Sequence, residues 1–128
     1  MLYTGYFTKT KQYTEAGLTP VSVAGKTPDF FKYTKWTLFA PRKELFDRWK
    51  NNEITDEEYM AEYTEYLESS VTDKNLKKLK EIADKYEIVM CCYEKSSSFC
   101  HRHTLAEWLS NKLEIPIGEV EICYVKNA

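Results

Sequence analysis

Cys100-His101-Arg102-His103 brings a thiol, both of the chain's histidines and an arginine together, a short step after Glu94. Three chemistries suit these residue types. In the first, Cys100 is a thiolate nucleophile, His101 an acid or base, and Arg102 the holder of an anionic group. In the second, Cys100 and Arg102 are polar supports for a phosphate or carboxylate ligand. Glu94 is then the acid, the base or a clamp on a hydroxyl. In the third, Cys100, His101 and His103 ligate a metal. Consecutive side chains in a first helical turn diverge by about 100°, which keeps His101 and His103 from converging on one ion. No metal and no cofactor is therefore expected. Each residue also has a plain structural reading: a cysteine at a helix start is often a small buried hydrophobe, and a Glu–Arg pair across a turn is often a clamp.

The flanking sequence determines how this corner is presented. Glu87–Tyr93 is an apolar run that reads as a strand buried on both faces, as central parallel strands are. Ser96-Ser97-Ser98 can cap the helix that follows, which places Cys100 to His103 in its first turn and packs it through Leu105, Trp108, Leu109 and Leu113. A helix start offers free N–H groups and a partial positive potential, favouring anions and lowering a thiol's pKa. Cys100 is accordingly expected to be the reactive thiol, and Cys91, Cys92 and Cys123, lying in apolar stretches, are expected to be inert core.

Upstream, Leu2–Phe7 reads as a first strand and Pro20–Ala24 as a second, with a short polar, helical connection ending at Gly17. The segment GKTPDFFKYTKWTLFAP has no clean period and reads as a loop. Pro41 suits the first turn of a helix carrying Leu45, Phe46 and Trp49 on one face. Thr55 and Glu58 have capping-box spacing, ahead of Tyr59, Tyr63, Tyr66 and Leu67 at helical intervals. Asp73 can cap a further helix buried through Leu76, Leu79, Ile82 and Ala83, and Glu119–Val125 is a last strand. Strands alternating with helices predict an α/β fold: a single three-layer domain, Rossmann-like, whose mainly parallel sheet is flanked by helices. In such folds the carboxyl ends of the strands form the ligand crevice. The Glu94–Arg102 corner lies at that end.

The chain's 128 residues suffice for one core and not for two ordinary domains, so a single domain over 1–128 is expected. A 43% hydrophobic and 15% aromatic content argues against disorder. No apolar run approaches the roughly 20 residues of a membrane helix. The start MLYTGYFTKTK lacks the order of a signal peptide, so a cytoplasmic location and reduced thiols are expected. The net charge of −2 hides an asymmetry: residues 1–50 carry nine Lys/Arg against four acids, a net of +5, which leaves −7 for the rest. The balance disfavours a general duplex-DNA coat and suits an anionic ligand meeting the N-terminal half.

The stretch CYEKSSSFCHRHTLAEWL closely resembles the C-terminal signature of the bacterial and phage family called domain of unknown function 488. In that signature a strand ends in Cys-x-Glu and Cys-His-Arg opens a helix. Cys92, Glu94, Cys100, His101 and Arg102 match it position by position. YTGYF resembles the family's opening strand, PVSVAGKTPDFF a subgroup pattern, and LFAPRKELFDRWK the Leu-x-Pro and Trp-Lys segment that follows. The resemblance spans most of the chain and implies a compact α/β domain in a bacterial or phage-infected cell. Where many members carry Asp-Val-Arg after the second strand, this chain has Val23-Ala24-Gly25-Lys26. Lys26 stands in as the cation, with a point charge and no bidentate fork.

These readings converge on an enzyme acting on an anionic substrate, a nucleotide or nucleic-acid fragment. Glu94, Cys100 and His101 are the expected catalytic residues, and Lys26, Arg102 and Tyr93 the substrate-binding ones. The alternative is a non-catalytic protein that binds a protein partner through an aromatic-rich surface. It draws on ten Tyr, three Trp and six Phe, more than a core this size readily buries. No membrane partner is expected.

Overall fold

The computed structural model describes residues 1–93 and 100–120. Four parallel strands stand in the order β2-β3-β1-β4, with β1 at Leu2–Tyr6, β2 at Thr19–Ser22, β3 at Ile88–Cys92 and β4 at Gly118–Glu119. β3 is central, all five of its residues are buried, and its register sets Leu2 opposite Ile88 and Thr19 opposite Ile88 on its two sides. This explains the unbroken apolar run: a strand covered on both faces has no solvent side for polar residues to occupy. The expected continuation of β4 beyond residue 120 lies outside the described residues.

Five helices cover the sheet: α1 (Thr10–Glu15), α2 (Lys43–Lys50), α3 (Asp56–Ser70), α4 (Asp73–Lys85) and α5 (His101–Leu113). Leu2, Val21, Val23, Ile88 and Met90 pack with residues of α2 to α5, while Val89 and Cys91 pack with Tyr13 of α1. The result is the expected three-layer α/β fold. No helix among the described residues is long and apolar enough to cross a membrane.

The helix starts show what the local sequence controls. Thr55 and Glu58 form the expected capping box, each side chain bonded to the other's backbone N–H. At α4 the cap is Thr72 and not Asp73. Thr72 and Asn75 make the same reciprocal pair, with the shorter Asn where the usual pattern has Glu or Gln. Pro41 lies just outside α2, whose N-cap is Arg42.

Tyr13 is buried and its hydroxyl accepts from the Tyr6 backbone N–H at 3.2 Å. That ring can approach β1 only because residue 5 is glycine. A Cβ there would sit 2.7 Å from Tyr13 Cζ and 2.8 Å from Val89 Cγ1. Gly5→Ala is therefore expected to cost about 1–3 kcal/mol through overpacking. Urea unfolding would measure it, and wild-type stability would show that α1 shifts off the sheet without cost.

Candidate functional site

All four strands are parallel, so the ends of β1, β2 and β3 and the start of α5 meet at one edge of the sheet. β3 delivers Cys92 and then Tyr93 to that edge. Cys100 is the N-cap of α5, with extended backbone (φ −156°, ψ 142°) and no side-chain cap bond, and His101 is the first helical residue. The expected serine cap and Glu94 lie outside the described residues, as does Cys123.

The structure brings Cys92, Cys100 and His101 together. Their ligand-type atoms, the two Sγ and a ring nitrogen, all lie within 4.8 Å of one another. His101 Nδ1 stands 3.6 Å from Cys92 Sγ and 3.9 Å from Cys100 Sγ. The other ring nitrogen, Nε2, is 2.6 Å from the Val23 carbonyl oxygen. A carbonyl only accepts, so Nε2 carries a proton, and Nδ1 faces the two sulfurs. Tyr63 of α3 holds the imidazole plane from the side, its ring edge-on at 5.5 Å between centroids.

The sulfurs differ sharply in environment. Cys100 is held well below the usual thiol range, chiefly by a hydrogen bond from Cys92, with further help from His101 and the Arg102 backbone N–H against the cost of burial. Cys91 faces the α1 side, and burial pushes its thiol up to about 12. That shielding is the environment expected of an unreactive thiol. Cys92 is buried as expected, and it also belongs to the thiol–imidazole cluster. Strand alternation turns it away from its neighbour and toward the start of α5.

Arg102 occupies a different position from the one its expected role needs. Its side chain is 0% exposed, the largest fully buried one among the described residues. Nε and Nη2 donate to the two carboxylate oxygens of Glu119 at 3.2 and 3.1 Å, and Thr4 Oγ1 donates to the same carboxylate at 2.7 Å. Burial disfavours the charge, and the Glu119 carboxylate more than restores it. This fork ties α5 to β4 beneath the surface. His103 is half-buried, and its Nε2 has no hydrogen-bond partner among the described residues. It lines a cleft with Glu107 and Glu119, apart from the sulfur cluster.

Around the cluster runs an aromatic gallery that the sequence shows only as composition. Phe7, just past β1, packs edge-to-face on Phe31 at 5.0 Å and on Tyr93 at 4.9 Å, and Phe31 packs on Tyr33 at 5.3 Å. Phe7 and Phe31 share one buried cluster with Cys92 and Cys100. Phe30, Tyr33 and Tyr93 are exposed, as are Lys26, Lys32 and Lys35 on the same loop, against a single Asp29. The loop is anchored at both ends on β2: Ser22 Oγ and Thr27 Oγ1 are 2.8 Å apart, and the Trp36 N–H donates to the Ser22 carbonyl at 2.7 Å. Tyr93 and Lys26 thus stand at the carboxyl edge with their side chains accessible.

Comparison with curated proteins and with solved structures found no match. The model of the family described as the active DUF488-N3 subclade, DUF488-N3a, matches residues 11–113. That span runs from α1 to the end of α5 and contains every residue of the sulfur cluster, so the chain belongs to the DUF488 family.

Proposed function

We propose that this protein is a small cytoplasmic enzyme acting on an anionic substrate, a nucleotide or nucleic-acid fragment, bound at the carboxyl edge of the sheet. The observation that carries the reading is the packing of the Cys92–Cys100–His101 cluster against an aromatic gallery whose outer rings alternate with lysines. Exposed rings stack on bases and lysines neutralise phosphates, which is the usual composition of a single-strand or nucleotide surface. The cluster supplies the chemistry, with Tyr93 and Lys26 holding the substrate and Glu94 keeping its proposed part as acid or base. Arg102 acts from beneath, as a positioning residue for the start of α5.

A second reading has its own support: Phe30, Tyr33 and Tyr93 are exposed while Cys100 and His101 are buried, which suits a non-catalytic interaction surface. Binding and turnover of mononucleotides and short single-stranded oligonucleotides separate the two. Tyr93→Ala is expected to weaken binding about 5- to 150-fold, from about 1–3 kcal/mol per stacked base. Cys100→Ser is expected to bind like wild type and to turn nothing over. Binding without turnover by wild type would favour the interaction surface. Absence of any binding at millimolar ligand would remove both nucleotides and nucleic acid from the proposal.

A further inference from the structure

We infer that Cys92, Cys100 and His101 form a binding site for a divalent transition metal, zinc by preference. The inference rests on the reading of this corner as the reactive centre and specifies what the cluster holds. Three features of the geometry support it.

The first is spacing. Around a tetrahedral ion with Zn–S near 2.3 Å and Zn–N near 2.0–2.1 Å, a sulfur and a nitrogen ligand lie about 3.6 Å apart. The two Sγ–Nδ1 separations are 3.6 and 3.9 Å, and all three donor atoms fall within 4.8 Å. The second is orientation. A ligating histidine usually donates its remote N–H to a carbonyl or carboxylate, which fixes the tautomer and aims the lone pair. His101 Nε2 does this with the Val23 carbonyl, and Tyr63 fixes the ring plane. The third is charge. A divalent cation displaces to solvent whatever protons the two sulfurs still hold and leaves two thiolates and one dication, electrically neutral overall. A neutral group is the kind that a cluster of side chains each no more than 5% exposed tolerates.

Two thiolates and an imidazole are a soft donor set that selects zinc over magnesium or calcium. They supply three of the four positions of a tetrahedral ion. Among the described residues no fourth donor joins them. Spacing in the first turn of α5 sets His101 and His103 on diverging sides. The structure pairs His101 with the strand cysteine Cys92 instead, a residue brought in by the fold and not by local spacing.

The test uses the full chain, reduced and stripped of metal by a chelator. Cobalt(II) titration of wild type is expected to saturate at one equivalent. It should produce a thiolate-to-cobalt charge-transfer band and the strong visible bands of a tetrahedral site, both bleached by zinc. Cys92→Ser, Cys100→Ser and His101→Ala should each weaken cobalt binding by more than the about 10- to 100-fold typical of losing a mere orienting partner. His103→Ala should bind as wild type does. A wild-type protein that gives no thiolate charge-transfer band overturns the inference without reference to any variant. So does a site that needs His103 in place of His101. Nucleotide binding and turnover measured in chelator keep the two proposals distinguishable. Turnover without metal removes the metal and leaves the enzyme, whereas one equivalent of tetrahedral cobalt with no nucleotide binding does the reverse.

Discussion

Glu119→Gln is expected to destabilise the protein by about 3–5 kcal/mol, a large share of the roughly 5–15 kcal/mol that holds a domain of this size. The reason is the asymmetry of the Arg102–Glu119 pair. The arginine side chain is 0% exposed and the glutamate side chain 23% exposed. Glutamine keeps the shape and an oxygen for Thr4 and Arg102, but it leaves a fully buried guanidinium without the carboxylate's charge. Removing the arginine acts differently. Arg102→Met keeps much of the buried stem, and the remaining carboxylate can recover water on its exposed side, so a smaller loss of about 2 kcal/mol is expected. The double variant Arg102→Met with Glu119→Leu is expected to regain most of the stability, because a well-packed apolar pair often replaces a buried ion pair without penalty. Urea unfolding of the four proteins measures each of these differences directly. A Glu119→Gln protein within about 1 kcal/mol of wild type would mean that the Glu119 carboxylate is not what holds the Arg102 charge in the core.

That pair also shows where reading the sequence stops. Arg102 is locally recognisable, since Cys-His-Arg at a strand-to-helix corner marks it. Its partner is not. Glu119 reaches it only because β4 joins the outer side of β1, with Thr4 in register with Glu119. Strand order is a non-local outcome, and no spacing within the chain encodes it. Cys92 follows the same rule: alternation separates it from Cys91, but only the placement of α5 decides which of the two meets His101. Elements controlled by neighbours are legible. The Thr55–Glu58 box, the α3 stripe of Tyr59, Tyr63 and Leu67, and the doubly buried β3 all depend on contacts a few residues away or on simple periodicity. Thr72 with Asn75 was the exception among the caps, because the pattern is usually sought with Glu or Gln at its far end.

Tyr63 joins the legible part of the fold to the part that was not. Its place on the α3 stripe follows from helical spacing, yet its contacts lie at the site. The ring is 0% exposed, its hydroxyl donates to the Phe39 carbonyl, and its edge meets the His101 imidazole. Burial holds the phenol well above its ordinary pKa, so it remains a donor throughout the accessible pH range. Tyr63→Phe keeps the ring and leaves the Phe39 carbonyl without its hydroxyl, at an expected cost of about 1–3 kcal/mol. Tyr63→Ala also opens a cavity between α3, the loop carrying Phe39 and the start of α5, and is expected to cost about 3–5 kcal/mol. The two substitutions should separate further in their effect on the sulfur cluster. The phenylalanine still braces the imidazole plane, so its Cys100 should alkylate at the wild-type rate under native conditions. The alanine frees the ring to turn away from Cys92 and Cys100, so its thiol reactivity should change even at temperatures where circular dichroism shows the protein folded. Mass spectrometry of limited alkylation reads both outcomes. Equal Cys100 reactivity in wild type and a folded Tyr63→Ala protein would show that the Val23 carbonyl alone orients His101, and that α3 contributes stability but not site geometry.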